Sequence, residues 1–280
     1  MRLVVTGASG KAGRAVVRDL LEHDHDVLAV DVVPPAESST TSLLADLTHF
    51  GETVECLAGV EAVVHLAAIP APGIRTEETT FRTNMLSTYN VFEAARLHGL
   101  RRVVWASSET ILGLPFEREP PAYAPIDEEH PPRPESSYAL SKLLSEELGR
   151  QFHRWSETPY AALRFSNIME PQEYERFPSF WRDPSLRRWN LWGYVDARDV
   201  AQSCRLALDA DLGAEHFIVA AADTVMNRPS RELMAEVYPS VTYRSTAGEF
   251  DTLLSIEKAR KQLGYQPAWS WRDHIADRAD

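Results

Sequence analysis

Apolar positions in the first 165 residues fall into two alternating kinds of run. Short, unbroken runs at residues 3–6, 27–30, 62–66 and 102–106 read as strands buried on both faces, and another follows at 160–165. Between them lie longer stretches with apolar residues three and four apart, at about 11–22, 76–98 and 136–157, which read as helices. Strand and helix in alternation mean βαβ units and a parallel sheet covered on both faces, an α/β fold. Beyond residue 165 the pattern changes. Residues 166–192 are rich in aromatics, arginine and proline and show no clean period. After them a helix is expected at 197–209, a strand at 215–219, and helices at 230–237 and 255–263, the last ended by Gly264. The proline-rich loop at 115–134 is too short to mark a domain boundary, and loops of that length usually serve function.

Composition narrows the class without changing the fold. The 280 residues suffice for one large α/β domain with a small appended lobe. Lys and Arg number 29 against 41 Asp and Glu, a net charge of −12, which disfavours nucleic acid and anionic membrane as partners. Cys56 and Cys204 stand in apolar surroundings without metal-ligand spacing, so two buried, reduced thiols and no metal site are expected. The N-terminal run is a strand entering a glycine turn, with no cleavage region, and no apolar run approaches the roughly 20 residues of a membrane helix. A cytoplasmic protein is the expectation.

The first candidate chemistry is the turn Thr6-Gly7-Ala8-Ser9-Gly10-Lys11-Ala12-Gly13, placed between the first strand and the first helix. Gly7 permits a sharp turn, Gly10 lets a pyrophosphate approach the backbone, and Gly13 allows close helix–strand packing. The helix N-terminus adds free N–H groups and a positive dipole end. This predicts a Rossmann-type doubly wound parallel sheet. Residues 1–165 form its dinucleotide-binding domain. Residues 166–280 are mostly a small C-terminal substrate lobe, with 193–220 returning to the Rossmann core. Asp31 ends the second strand, where a carboxylate accepts from ribose hydroxyls and repels a 2′-phosphate, so NAD is favoured. NADP stays open, because Lys11 and Arg14 lie near the same corner. Asp46 and Leu47, after the third strand, are placed to contact adenine or to form a strand-end turn.

The second is Tyr138-Ala-Leu-Ser-Lys142. Four residues apart on a helix, phenol and ammonium share a face. A neighbouring cation, together with a positively charged nicotinamide, favours the phenolate, so Tyr138 can exchange a proton with a substrate hydroxyl. The strand run 103–108 ends in two serines at the carboxyl edge where open sheets bind ligands, and Ser108 there can bond the same oxygen or simply form a turn. Asn84, inside a helix beneath this region, can hold a water or a backbone carbonyl.

Together these residues resemble the extended short-chain dehydrogenase/reductases, the NAD-dependent epimerase/dehydratase family, over nearly the whole chain. The resemblance rests on Gly7, Gly10, Gly13 and Asp31, and on Asp46-Leu47, which in the family flanks adenine. It rests further on His65-Leu66-Ala67-Ala68 beside the cofactor, on Asn84, on Ser107-Ser108-Glu109 with the later Gly113, on Tyr138 and Lys142, and on the closing stretch 255–267. It implies Ser108, Tyr138 and Lys142 as catalytic, with Lys142 lowering the tyrosine pKa and binding ribose. It also implies a homodimer through two helices per subunit, one of them carrying Tyr138. The segments at 106–113 and 138–142 look most like the uronate dehydrogenase branch, which oxidises a free sugar acid with NAD.

The match loosens on the substrate side. The segment Arg164-Phe-Ser-Asn167-Ile-Met-Glu170-Pro171 has Glu170 where epimerases usually have glycine. Glu109-Thr110 replaces the dehydratase Asp-Glu, so dehydration is the weakest option. Residues 174–194 interleave seven aromatics, Trp192 among them, with Arg176, Arg182, Arg187 and Arg188. Aromatics stack on sugar faces and arginines bind carboxylate or phosphate, so Arg176 and Trp192, with Ser107, Glu109 and Asn167, are candidate substrate contacts. The bland alternative is that these aromatics cover the lobe's core. Asp196 is expected to cap the helix at 197–209, and Asp199 to be structural. The expected activity is hydride transfer between NAD and a hydroxyl or carbonyl carbon of a small sugar-like or sugar-acid-like substrate. A sugar epimerase with retained cofactor is the close rival, and a nucleotide-sensing protein without turnover the distant one.

Overall fold

The computed structural model describes residues 1–35, 40–244 and 248–275. Seven parallel strands make the main sheet: β1 (Arg2–Thr6), β2 (Asp26–Asp31), β3 (Ser42–Leu44), β4 (Ala62–His65), β5 (Arg102–Ser108), β7 (Tyr160–Phe165) and β10 (Ala214–Val219). The chain runs outward from β1 through β2 to β3, then returns to β4 on β1's other side and continues through β5 and β7 to β10. Between β1 and β4 the winding reverses, and ligands of open α/β sheets bind outside the carboxyl ends at such a point.

Helices α1 (Lys11–Glu22), α2 (Phe50–Cys56), α3 (Glu77–His98), α4 (Ser137–Ser156) and α5 (Ala197–Asp209) cover the sheet. One buried face groups β1 and α1 with α5, where Val5, Val16, Leu20, Val200 and Cys204 pack together. The other groups β4 and β5 with α3 and α4, where Phe92, Trp105, Phe152 and Tyr160 meet edge to face. Cys56 and Cys204 are both buried and free. Asp196 caps α5 as expected, its Oδ1 accepting from the Arg198 N–H at 2.8 Å. Asp199 is buried and structural, accepting from the backbone of Ala268 and Trp269.

The expected elements recur with ends shifted by a residue or two. Phe50–Cys56 was not foreseen as a helix, because seven residues hold too few turns for a period to show. Residues 171–180 and 184–190 form two 3-10 turns, whose three-residue repeat and internal prolines leave no α-helical pattern. The loop at 115–134 carries β6 (Tyr123–Ala124), and residues 168–169 and 195–196 pair as β8 and β9. Helix α6 (Ser230–Val237) leads to β11 (Thr242–Tyr243), which pairs with β6, and α7 (Glu257–Leu263) ends at the left-handed Gly264. Among the described residues no helix is long and apolar enough to cross a membrane.

Candidate active site

One open cleft of about 1310 Å3 crosses the carboxyl ends of the strands. Pockets for small ligands usually measure roughly 300–1,000 Å3, so this one has room for a dinucleotide with a second small molecule.

Its first wall is the turn after β1. Gly7 has a φ of +68°, and a Cβ there would lie 2.6 Å from the Ala67 nitrogen. A Cβ on Gly13 would lie 2.1 Å from the Gly7 carbonyl oxygen. Both glycines are therefore demanded by the chain's own packing. Gly10 differs: its Cβ would meet only that carbonyl, at 3.3 Å, and would otherwise enter open cleft. The Thr6 hydroxyl gathers the neighbouring loop, accepting from the N–H groups of Leu66 and Ala67. The first turn of α1 has neither an acidic residue nor a side-chain cap, which leaves its N–H groups open to an anion. These features fit a dinucleotide.

Asp31 lines the cleft and accepts from the N–H groups of Ser9, at 2.9 Å, and Val32, at 2.7 Å. Lys11 and Arg14, considered above as phosphate ligands, are each paired with a glutamate. Lys11 Nζ bonds Glu173 at 2.5 Å and the Ile168 carbonyl at 3.0 Å, and Arg14 bonds Glu170 and the Ser9 carbonyl, each at 2.8 Å. Asp46 is exposed, and its carboxylate closes a turn onto Thr48 N and Oγ1, which holds it below the usual carboxylate range. It still lines the cleft beside Leu47, as do Ala12 and residues 66–68.

At the cleft floor, β5 delivers Ser108 and the first turns of α4 deliver Tyr138 and Lys142. Ser136 caps α4, its Oγ accepting from Ala139 N at 3.1 Å, and so sets where Tyr138 emerges. Deeper in the same helix, Glu146 receives Arg164 of β7 through two bonds of 2.8 and 2.9 Å and Ser107 through one of 2.6 Å. This buried pair ties α4 to the two strands behind it. Ser108 and Tyr138 both line the floor, and the Ser108 Oγ accepts from Thr110 N at 3.2 Å and Thr110 Oγ1 at 3.0 Å. Lys142 Nζ lies 5.8 Å from the centroid of that ring and donates to the Ala106 carbonyl at 2.8 Å.

Burial pushes Tyr138 up to about 12, against a lowering by Ser108, and Glu109 pushes it further up. Burial likewise lowers Lys142 to about 8.

Glu109, one residue beyond Ser108, is only 3% exposed. Its carboxyl accepts from Ser166 Oγ at 2.6 Å and Asn190 Nδ2 at 3.1 Å. Burial pushes it up to about 7, although Ser166, Asn190 and the nearby Arg187 pull the other way.

Three candidates from the sequence are not in the cleft wall. Asn84 is buried behind it, clamping the Ile69 backbone through Oδ1 to N (2.8 Å) and Nδ2 to O (3.1 Å). A mid-helix asparagine thus fixes the loop after β4, in keeping with the backbone-holding role considered for it. Trp192, with a positive φ of 56°, is wholly buried, its indole donating to the Pro184 carbonyl at 2.8 Å. Arg176 is exposed outside the cleft. Ser107, Glu109 and Asn167 do line it. Sequence reasoning did not select Ser166 or Trp189 for the wall, nor Asn190 behind it. Only their place among aromatics and polar residues after β7 hinted at them.

Residues 3–220 match the model of the NAD dependent epimerase/dehydratase family. An NAD-dependent glucose-6-phosphate dehydrogenase of Haloferax volcanii is 30% identical over 195 residues, 64% of this chain and 74% of that one. A uronate dehydrogenase of Pseudomonas putida is 34% identical over 182 residues, 61% of this chain and 63% of that one. A short-chain dehydrogenase/reductase superfamily protein of Agrobacterium tumefaciens, solved with bound NAD, superposes with a TM-score of 0.75. It is 25% identical, and the match covers 97% of this chain and 94% of that one.

Proposed function

This chain belongs to the NAD dependent epimerase/dehydratase family, an enzymatic one, and from that premise we propose that it is an NAD-dependent oxidoreductase acting on a hydroxyl or carbonyl carbon of a small sugar-like or sugar-acid-like molecule. The observation that carries this reading is the meeting of Ser108, Tyr138 and Lys142 at the floor of a cleft whose other wall is an uncapped glycine turn. The related dehydrogenases, one named for a phosphorylated sugar and one for uronate, support the substrate class.

The dinucleotide, when bound, supplies the acceptor or donor of hydride. The chain's residues do the rest. Gly7, Ser9, Gly10 and the N–H groups of residues 11–13 would hold the pyrophosphate, and Asp31 would accept from the adenosine ribose. Ser108 orients the reacting oxygen. Tyr138 takes the hydroxyl proton during oxidation and returns it during reduction. Held at about 12, the phenol is protonated at neutral pH and already fit to act as an acid. As a base it needs positive charge beside it, which the Lys142 ammonium supplies, although burial lowers that ammonium to about 8. The engagement of Lys11 and Arg14 with glutamates and the carboxylate of Asp31 both support NAD over NADP.

Tyr138→Phe tests the reading. We expect turnover to fall by about a thousandfold while NAD still binds, measured by fluorescence titration. Unchanged turnover would contradict the reading. The epimerase alternative uses the same three residues and differs in producing no net redox change. A second copy of this chain is the proposed partner. Leu86 and Tyr89 on α3, with Leu140 and Leu144 on α4, stand exposed on two helices that pack together. Leu140→Glu with Leu144→Glu should convert a dimer to a monomer in light scattering.

A further inference from the structure

Charge along the cleft is lopsided. Among the described residues its ionisable walls are the carboxylates of Asp31, Asp46, Glu77, Glu109, Glu117 and Glu135, against the cations Lys11, Arg118 and Lys142. Each cation is already engaged. Lys11 is held by Glu173, and Arg118 pairs with Glu135 at 3.1 Å. Lys142 is buried beneath the reacting tyrosine with its ammonium on the Ala106 carbonyl.

The aromatic segment does not make up the deficit. Arg176, Arg182 and Arg188 are exposed outside the cleft. Arg187 lies behind the wall, its guanidinium 4.4 Å from the Trp189 ring centroid and donating to the Gly193 carbonyl at 3.1 Å. A carboxylate or phosphate entering this end would shed water without gaining a cation, and would face Glu109.

Hydroxyl groups meet the opposite situation. Glu109, Ser108, Thr110 and Asn167 all line this end of the cleft. Above about pH 7, where Glu109 has lost its proton, its carboxylate is an acceptor that sugar hydroxyls satisfy through charge-assisted bonds. Ser166, Asn190 and Thr110 use part of the bonding capacity of these groups, and an apolar alcohol would leave the remainder without a partner, which is costly. Trp189 and Phe165 add flat apolar surface for a sugar ring.

We infer that the substrate is an uncharged polyhydroxylated molecule, a neutral sugar or polyol, and that Glu109 selects it against sugar acids, sugar phosphates and nucleotide sugars. The inference rests on the hydride-transfer reading above. In the oxidation, the carbinol C–H bond breaks and its electron pair leaves as hydride to the nicotinamide. The hydroxyl proton passes to Tyr138, and the substrate carbon becomes a carbonyl.

The test uses the full chain carrying Tyr138→Phe, loaded with NAD, so that binding is read apart from turnover. Calorimetric titration compares a panel of neutral hexoses, pentoses and alditols with glucuronate, galacturonate, glucose 6-phosphate and UDP-glucose. At least one neutral member is expected to bind, with the charged probes at least about tenfold weaker. Adding Glu109→Gln, which keeps an acceptor for Ser166, should shrink that gap by about tenfold. Tighter binding of a charged probe, or no binding by any neutral one, overturns the inference. So does a gap unchanged in a folded Glu109→Gln protein. Formation of reduced nicotinamide by the wild-type chain with the same panel reports separately on the hydride-transfer reading.

Discussion

The two walls of the cleft are held in different ways. On the cofactor side, residues stand at the ends of β1, β2, β4 and β5, and parallel ladder bonds between strands fix their places. The special side-chain demands there include glycines where a Cβ cannot fit, together with Thr6, Asp31 and Asn84, whose polar atoms hold loop backbone. On the substrate side, two 3-10 turns replace regular elements, and individual side chains hold them. Trp192 bonds the Pro184 carbonyl, Trp181 the Val225 carbonyl, Asn190 the Gly193 carbonyl and Tyr194 the Asp223 carboxylate. Backbone ladders tolerate many side chains, whereas this second wall depends on particular ones. A scaffold of this kind can keep its cofactor end while its specificity end diverges.

Substitutions can break that contrast. The largest effect is expected at Gly13. Gly13→Val places atoms against the Gly7 carbonyl and should prevent folding, read by circular dichroism. Gly10→Ala, three residues away, should fold with a loss of under about 1 kcal/mol while NAD affinity falls. Equal damage at both positions would show that Gly10 also serves packing alone.

Next comes Glu109. Its carboxyl keeps its proton up to about pH 7 when folded, against an ordinary 4.5. The unfolded chain releases that proton first, so stability falls as pH rises from about 4.5 to about 7 and then levels off. At about 1.4 kcal/mol per pH unit this amounts to about 3 kcal/mol. Glu109→Gln should remove that fall, so the variant gains on the wild type between pH 4.5 and 8 in denaturant titrations. A constant difference across that range would mean the carboxyl is not protonated by its burial.

The smallest effect concerns the ties between the walls, Lys11 to Glu173 and Arg14 to Glu170. Glu170→Gln frees Arg14 at a half-exposed site, and kcat/KM with NADP should rise by a few-fold, the scale of about 1 kcal/mol. No change would mean that Asp31 alone governs the choice.

Legibility in the sequence follows the same division. Strands buried on both faces and amphipathic helices announce themselves by period, so β7 and α1 were read to the residue. The glycine turn, Ser108, Tyr138 and Lys142 were legible because chemistry and position coincide at element ends. Short or exposed pieces were not: α2 has seven residues, and β3 is an exposed edge strand without a buried face. In residues 171–192 residue type does not reveal direction. Trp192 suited a sugar face but fills the core, and Arg176 suited a carboxylate but faces solvent. Glu109 was visible as a departure from the dehydratase pattern. Its burial and its partners Ser166 and Asn190, 57 and 81 residues away, needed the fold.

The most direct test of the central claim is the reduced-nicotinamide absorbance of the purified chain, followed after adding NAD and a panel of neutral sugars, polyols and sugar acids. The account predicts that this band grows with a neutral member of the panel and that Tyr138→Phe abolishes the growth. Absence of growth with every substrate, with nicotinamide dinucleotide released on denaturation, would contradict it in favour of an epimerase that retains its cofactor.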